Sequence, residues 1–198
     1  MDVVTEEARH AARIEALLEE GFGPDRQRKT VYRLRAGVAP IAELCLVAEA
    51  EDGSLRGTLR FWPVEIAVAE GAAVAALLLG PIAVAGGLRK TGVGRLLMQA
   101  GLDRARALGH RIVLLVGDES YYGRFGFRRA LAEPLSLPGP VEVERFLALD
   151  LVEGALDGIS GLVRRASRGA PCRDRGTALH PTAPVGPAEA LHQAMAGL

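Results

Sequence analysis

Residues 79–127, LGPIAVAGGLRKTGVGRLLMQAGLDRARALGHRIVLLVGDESYYGRFGF, decide the fold. They open on an apolar run that reads as a buried strand and break at Arg89-Lys90-Thr91-Gly92-Val93-Gly94. From residue 95 to 108 the period changes to that of a helix. Leu97, Ala100, Gly101, Ala105 and Leu108 form one apolar stripe, with Arg95, Gln99, Asp103 and Arg106 opposite. Gly109 stands where a helix ends, and 111–116 is a short β-branched strand. Residues 120–125 read as a short helix or turn. Strand, glycine turn, helix and strand therefore follow one another without a long loop.

Working outward, 41–50 and 55–68 read as strands joined by Glu51-Asp52-Gly53, a good hairpin signal. Glu70-Gly71 is a second tight connection, into a strand over 73–84. Three strands with short turns make an antiparallel meander. Before them, Thr5 can cap a helix whose first turn holds Glu6 and Glu7, with Ala11, Ile14, Leu17, Leu18 and Phe22 recurring at helical spacing. Residues 25–37 are rich in Arg and Lys and read as a solvated basic face in preference to a second, less clear helix. After the quoted stretch, 146–152 and 159–163 are further strand candidates. The expected class is thus mixed α/β, a largely antiparallel sheet flanked by helices. Residues 1–166 form the expected domain. Residues 167–198 read as a Pro/Gly-rich extension of flexible character, with one short helix expected over 187–198.

Composition excludes several functions. The 198 residues suffice for one domain with a sizeable core. Lys+Arg and Asp+Glu both total 24, whereas a general nucleic-acid binder is clearly basic. Aromatics make up only 5%, too few for a base-stacking platform. The two cysteines, Cys45 and Cys172, have neither disulfide-framework nor CxxC spacing. Together with an N-terminus lacking an apolar signal core, they point to a reducing, cytoplasmic setting. The uncharged run 71–88 is long enough for a membrane span, but Gly80 and Pro81 divide it, so buried strands are expected instead. His10, His110, His180 and His192 are too scattered for a metal site, and no metal is expected.

The turn at 89–95 carries the chemistry. Glycines at 92 and 94 leave the backbone unobstructed, so successive N–H groups at a helix start can converge on an anion. Arg89, Lys90 and Arg95 add positive charge. A Walker A loop would need a glycine directly before the lysine. The dinucleotide fingerprint would need a third glycine where Leu97 stands. The arrangement suits a phosphate or diphosphate of another kind.

R-x-x-G-x-G after a strand and opening a helix resembles the acetyl-CoA pyrophosphate loop of the GNAT N-acetyltransferases. Residues 79–84 look like the family's pantetheine-pairing strand. Tyr122-Gly123-Arg124-Phe125-Gly126-Phe127 resembles its Y-x-x-x-G-F, and GDxxYYxRFGF is similar to a bacterial subgroup of predicted acetyltransferases. The likeness covers about residues 1–165. It implies the acyl-CoA N-acyltransferase fold, acetyl-CoA as co-substrate and an amine acceptor, small molecule or protein. The loop Arg89, Lys90, Thr91, Gly92, Val93, Gly94 and Arg95 would hold the diphosphate. Ile82, Ala83 and Val84 would hold the pantetheine arm, with an N–H at or near Val84 stabilising the oxyanion. Tyr122 matches the tyrosine that protonates the departing thiolate, its four-residue step to Gly126 preferring it over Tyr121. Glu43, Glu65, Asp118 and Glu119 are candidate bases, Asp118 reading preferentially as a cap for the next helix. Trp62 reads equally as core or as acceptor-site wall, and Cys45 as a buried small hydrophobe. A non-catalytic acyl-CoA sensor, a domain for another phosphorylated ligand, and a homodimer stay open.

Overall fold

The computed structural model describes residues 1–167. The expected extension, and with it Cys172, His180 and His192, lies outside the described residues beyond Ser167.

One mixed sheet runs through the molecule. Its main path is β1 (Asp2–Thr5), β2 (Leu46–Glu49), β3 (Leu55–Ala67), β4 (Val74–Val84), β5 (Ile112–Val116) and, past the two-residue β6 (Leu135–Ser136), β7 (Phe146–Asp150). β8 (Gly161–Arg165) pairs with the second half of β3 and with β6. The expected meander is present as β2–β3–β4, all antiparallel. β4 and β5 are parallel because α3 (Val93–Ala107) carries the chain back between them.

The two-sided burial of the sheet explains its continuous apolar runs. Along β5, Val113 and Leu115 pack into the core beneath α3, while Ile112 and Leu114 pack into the core on the other face. That other face is covered by α1 (Ala11–Phe22), through Ile14, Leu17 and Leu18, and by α2 (Thr30–Arg35), through Leu34. α3 buries Leu97 and Met98 completely, each worth about 1.5–3 kcal/mol. Gly101 allows that close approach: a Cβ there would stand 2.7 Å from Leu59 Cδ2 and 2.8 Å from Phe61 Cε2.

Several expectations need correction. The buried stripe of α3 runs through Val93, Leu97, Met98, Gly101, Leu102 and Ala105, whereas Leu108 is 45% exposed at the helix end. Thr5 caps no helix. The β-branched Val3 and Val4 extend the sheet edge against β2, and the helix begins only at Ala11. Glu6 instead pairs with Arg60 at 2.6 Å, and the Glu7 amide donates to Nδ1 of buried His10 at 2.9 Å. The span 25–37 is not a solvated basic face: Leu34 draws α2 into the core, and Arg26 and Arg35 are buried. Arg26 pairs with Glu15 and Glu19 of α1. The uncharged run 71–88 is mostly β4. Among the described residues no helix is long and apolar enough to cross a membrane.

Candidate active site

The site starts from a defect in β4. Leu79 stands opposite Phe61 and Ile82 opposite Leu59, so β4 carries one residue more than β3 across this interval. The extra length falls at Gly80-Pro81, a cis peptide, with Gly80 at φ 118°. The Trp62 indole N–H donates to the Gly80 carbonyl at 2.8 Å. The bulge inverts the side-chain alternation. Leu77 and Leu79 face α3 before it, whereas Ile82 and Val84 do so after it, leaving Ala83 to pack with Ile14, Leu17 and Leu18.

Beyond the bulge β4 and β5 part. They pair only at Leu77–Val113 and Leu78–Leu114. Leu115 and Val116 continue to pair with β7, so β5 is open only on its β4 side. The amides of the open half of β4 can be assigned by alternation. The Ala85 amide donates to Arg56 at 3.0 Å, so the amides of 83 and 85 face β3 and those of Ile82 and Val84 face the wedge.

At one end of the wedge lies the start of α3. Gly92 takes the left-handed conformation, φ 100°, as its N-cap. The Leu96 amide makes the first helical hydrogen bond, to Gly92, so the amides of Val93, Gly94 and Arg95 precede it and lack helical acceptors. Lys90, at φ 68°, is the one non-glycine with positive φ among the described residues. Arg89, Lys90, Thr91 and Arg95 are exposed, and the three cations have no ion-pair partner among the described residues. The loop thus presents uncommitted donors and unpaired positive charge together.

At the other end a cavity of about 700 Å³ opens between residues 79–82 of β4, 115–118 at and just past the end of β5, α2 and 140–145. Ile82 lines it, but Ala83, Val84 and the 89–95 loop do not. Tyr121 joins the two ends: it lines the cavity, and a Cβ on Gly94 would lie 3.0 Å from its hydroxyl and 3.5 Å from Val84 Cγ2.

Tyr121 and Tyr122 belong to α4 (Glu119–Tyr122), whose first turn closes on the Asp118 carbonyl through both tyrosine amides. Tyr122 also lines the cavity. Its ring meets Tyr121 edge-on at 4.9 Å and Phe127 at 6.1 Å. Gly117 makes room for it, since a Cβ there would stand 2.2 Å from the ring. Burial, with smaller contributions from Tyr121 and Asp118, pushes the Tyr122 phenol up to about 12. It is therefore a neutral donor at any physiological pH.

The other candidates separate clearly. Asp118 holds the N-cap position of α4 but makes no side-chain cap; its carboxylate lies 3.0 Å from Arg145 in an ion pair without hydrogen-bond alignment. Glu65 is buried against Arg164 at 2.6 Å, and neither it nor Glu43 or Glu119 lines the cavity. Cys45 is buried, donates to the Ile41 carbonyl at 3.3 Å, and is pushed up to about 11 by burial. Trp62 packs with the core and braces both Gly80 and Arg35. Among the cavity-lining residues without an expected site role are Tyr32, Arg35 and Arg145. The only sequence signal for Arg35 was its place one residue after Leu34, an apolar anchor inside a basic run.

The family model of the acetyltransferase (GNAT) domain matches residues 5–130. The uncharacterized N-acetyltransferase YhbS of Escherichia coli K12 is 33% identical over 150 residues, covering 76% of this chain and 87% of that protein. The crystal structure of Escherichia coli YhbS in complex with CoA superposes with a TM-score of 0.70 at 31% identity, covering 83% of this chain and 89% of that one. A Brucella melitensis GNAT family acetyltransferase in complex with acetyl-CoA gives a TM-score of 0.60 at 29% identity, covering 84% of this chain and 96% of that one.

Proposed function

Since the chain belongs to the GNAT acetyltransferase family, we propose that it moves the acetyl group of acetyl-CoA to an amine by direct attack on the thioester, within a catalytic unit of residues 1–166. The observation that carries this reading is the wedge between β4 and β5, with an anion-suited loop at one end and a cavity at the other.

The CoA diphosphate lies on the amides of 93–95, with Arg89, Lys90 and Arg95 supplying charge. The pantetheine arm runs along the open edge of β4 and pairs with the wedge-facing backbone of Ile82 and Val84. The thioester then reaches the cavity, where the amine enters. As nitrogen attacks the carbonyl carbon, charge gathers on oxygen. A wedge-facing amide at the cavity end stabilises it, a contribution of about 2.7–4 kcal/mol for such donors. The carbon–sulfur bond breaks, the thiolate takes the Tyr122 proton, and the surplus proton on the amide nitrogen passes through solvent at the cavity mouth to restore the Tyr122 phenol.

The test is a calorimetric titration with CoA, paired with free-thiol release from acetyl-CoA across a panel of primary amines. Affinity for CoA in the micromolar range and thiol release that depends on an amine are expected. CoA binding without amine-dependent release would leave a non-catalytic acyl-CoA binder. Absence of CoA binding would end the transferase reading.

A further inference from the structure

The cavity wall holds an arginine that the transfer chemistry leaves unused. Arg35 is 7% exposed and lines the cavity. Its guanidinium lies over the Tyr32 ring at 4.7 Å and the Trp62 ring at 5.8 Å. Its Nε and Nη1 are buried without a hydrogen-bond partner, as is the Tyr32 hydroxyl. Among the described residues no carboxylate pairs with it. The carboxylates on the cavity wall, Asp118 and Glu142, are already drawn to Arg145, at 3.0 and 3.8 Å.

A buried cation without a counter-ion is costly, and here burial pulls Arg35 down to about 10, with the Tyr32 phenol acting in the opposite sense. It stays charged at neutral pH. The two rings hold the guanidinium plane in place, so its donors are fixed before any ligand arrives. Its Nη2 lies 3.0 Å from where a Cβ on Gly80 would stand, two residues along β4 from the wedge-facing amide of Ile82. An anion on Arg35 would therefore lie beside the carbonyl under attack.

Resting on the transferase reading, we propose that the acceptor is a small amine that also carries an anionic group, a carboxylate or a phosphate, and that Arg35 with the Tyr32 hydroxyl binds that group. The amine end points along β4 toward the wedge, and the anionic end supplies the counter-charge that Arg35 lacks. Lys29, also on the cavity wall, adds to the attraction. The site selects against amines that are neutral or cationic away from the reacting nitrogen, because they leave the guanidinium buried and unpaired.

The test uses the full chain saturated with CoA and titrated calorimetrically with matched primary amines. Each set contains an amino carboxylate, the corresponding aminophosphonate, the carboxamide and the amine lacking the group. At least one anionic form should bind tenfold or more tightly than its neutral partners, and which form wins separates carboxylate from phosphate. Arg35→Gln should erase that preference and Arg35→Lys should keep part of it, while both retain the wild-type CoA affinity, which reports a folded wedge. Equal binding of anionic and neutral forms, no binding of any anionic form, or a preference that survives in Arg35→Gln would each overturn the proposal. Thiol release in the same panel separates the two readings: an Arg35-dependent anionic preference without release from any amine would reject the transferase reading and leave the anion site standing.

Discussion

The two halves of β4 are one strand with opposite fates. From 74 to 79 it lies inside the sheet, with Leu77 and Leu78 at most 1% exposed and paired toward β5. From 80 to 84 it keeps β3 on one edge and loses β5 on the other, so its backbone donors there face a wedge instead of a neighbour. The boundary is one inserted residue at Gly80-Pro81. The first half is stabilised by what it buries, whereas the second half has hydrogen-bonding capacity to offer because the protein leaves it unused. The two should respond to mutation in different currencies, affinity for the open half and stability for the closed one.

The largest effect is expected at the open end. Gly92→Glu puts a carboxylate beside the bound diphosphate, and like charges about 4 Å apart near a surface repel by about 4 kcal/mol. CoA affinity should fall about a thousandfold by calorimetry. Because Gly92 has φ 100°, the side chain also adds backbone strain of about 1–2 kcal/mol, visible as a modest drop in urea stability. Retained CoA affinity would show that the 89–95 loop does not hold the diphosphate.

The closed half should answer in reverse. Leu78→Ala removes a completely buried side chain and should cost about 3 kcal/mol of stability in urea unfolding. The folded fraction should bind CoA as the wild type does. A parallel loss of CoA affinity in fully folded protein would mean that the two halves of β4 are coupled across the bulge, and the contrast between them would fail.

How far the sequence could be read follows the same division. β3, β4, α3 and β5 were legible because each is long and periodic or continuously apolar, and glycines punctuate their ends. Thr5 was misread as a cap because two acids, Glu6 and Glu7, imitate the first turn of a helix, and the strand over 2–5 went unread because Val3 and Val4 alone are too short a signal. The loop 89–95 was legible as local chemistry, as glycine spacing beside cations. The wedge was not, because it depends on where β5 stops pairing with β4, a long-range property. Arg35 was hidden for a related reason. A run of Arg and Lys reads as solvated, and only the packing of Leu34 against the sheet turns one member inward. The bulge was half legible: Gly80 and Pro81 divided the apolar run, but nothing local showed that they would invert the alternation that follows.

The last contrast lies within the wedge itself, between adjacent tyrosines. Tyr121 reaches toward the start of α3 and Tyr122 packs over Gly117. If Tyr122 gives the proton to the thiolate, Tyr122→Phe should lower kcat about a hundredfold with CoA affinity unchanged, at the low end of general-acid contributions because a thiolate leaves readily. Tyr121→Phe should instead weaken CoA binding a few-fold and leave kcat within about twofold, since one neutral hydroxyl at a ligand contact is worth about 1 kcal/mol. The reverse pattern would move the acid to Tyr121. A pH series separates packing from proton donation. Folding holds the Tyr122 proton up to about 12 against an ordinary 10.0, so as pH rises through that window the unfolded chain ionises first. Wild-type stability should therefore decline between pH 10 and 12, and Tyr122→Phe should remove that part of the decline. Below pH 10 the phenol stays protonated, so kcat should show no alkaline fall from this group. A fall centred near pH 8 that disappears in Tyr122→Phe would keep the acid role but mean that the hydroxyl ionises far more easily than its burial allows, so the buried, neutral setting drawn for it would have to be given up.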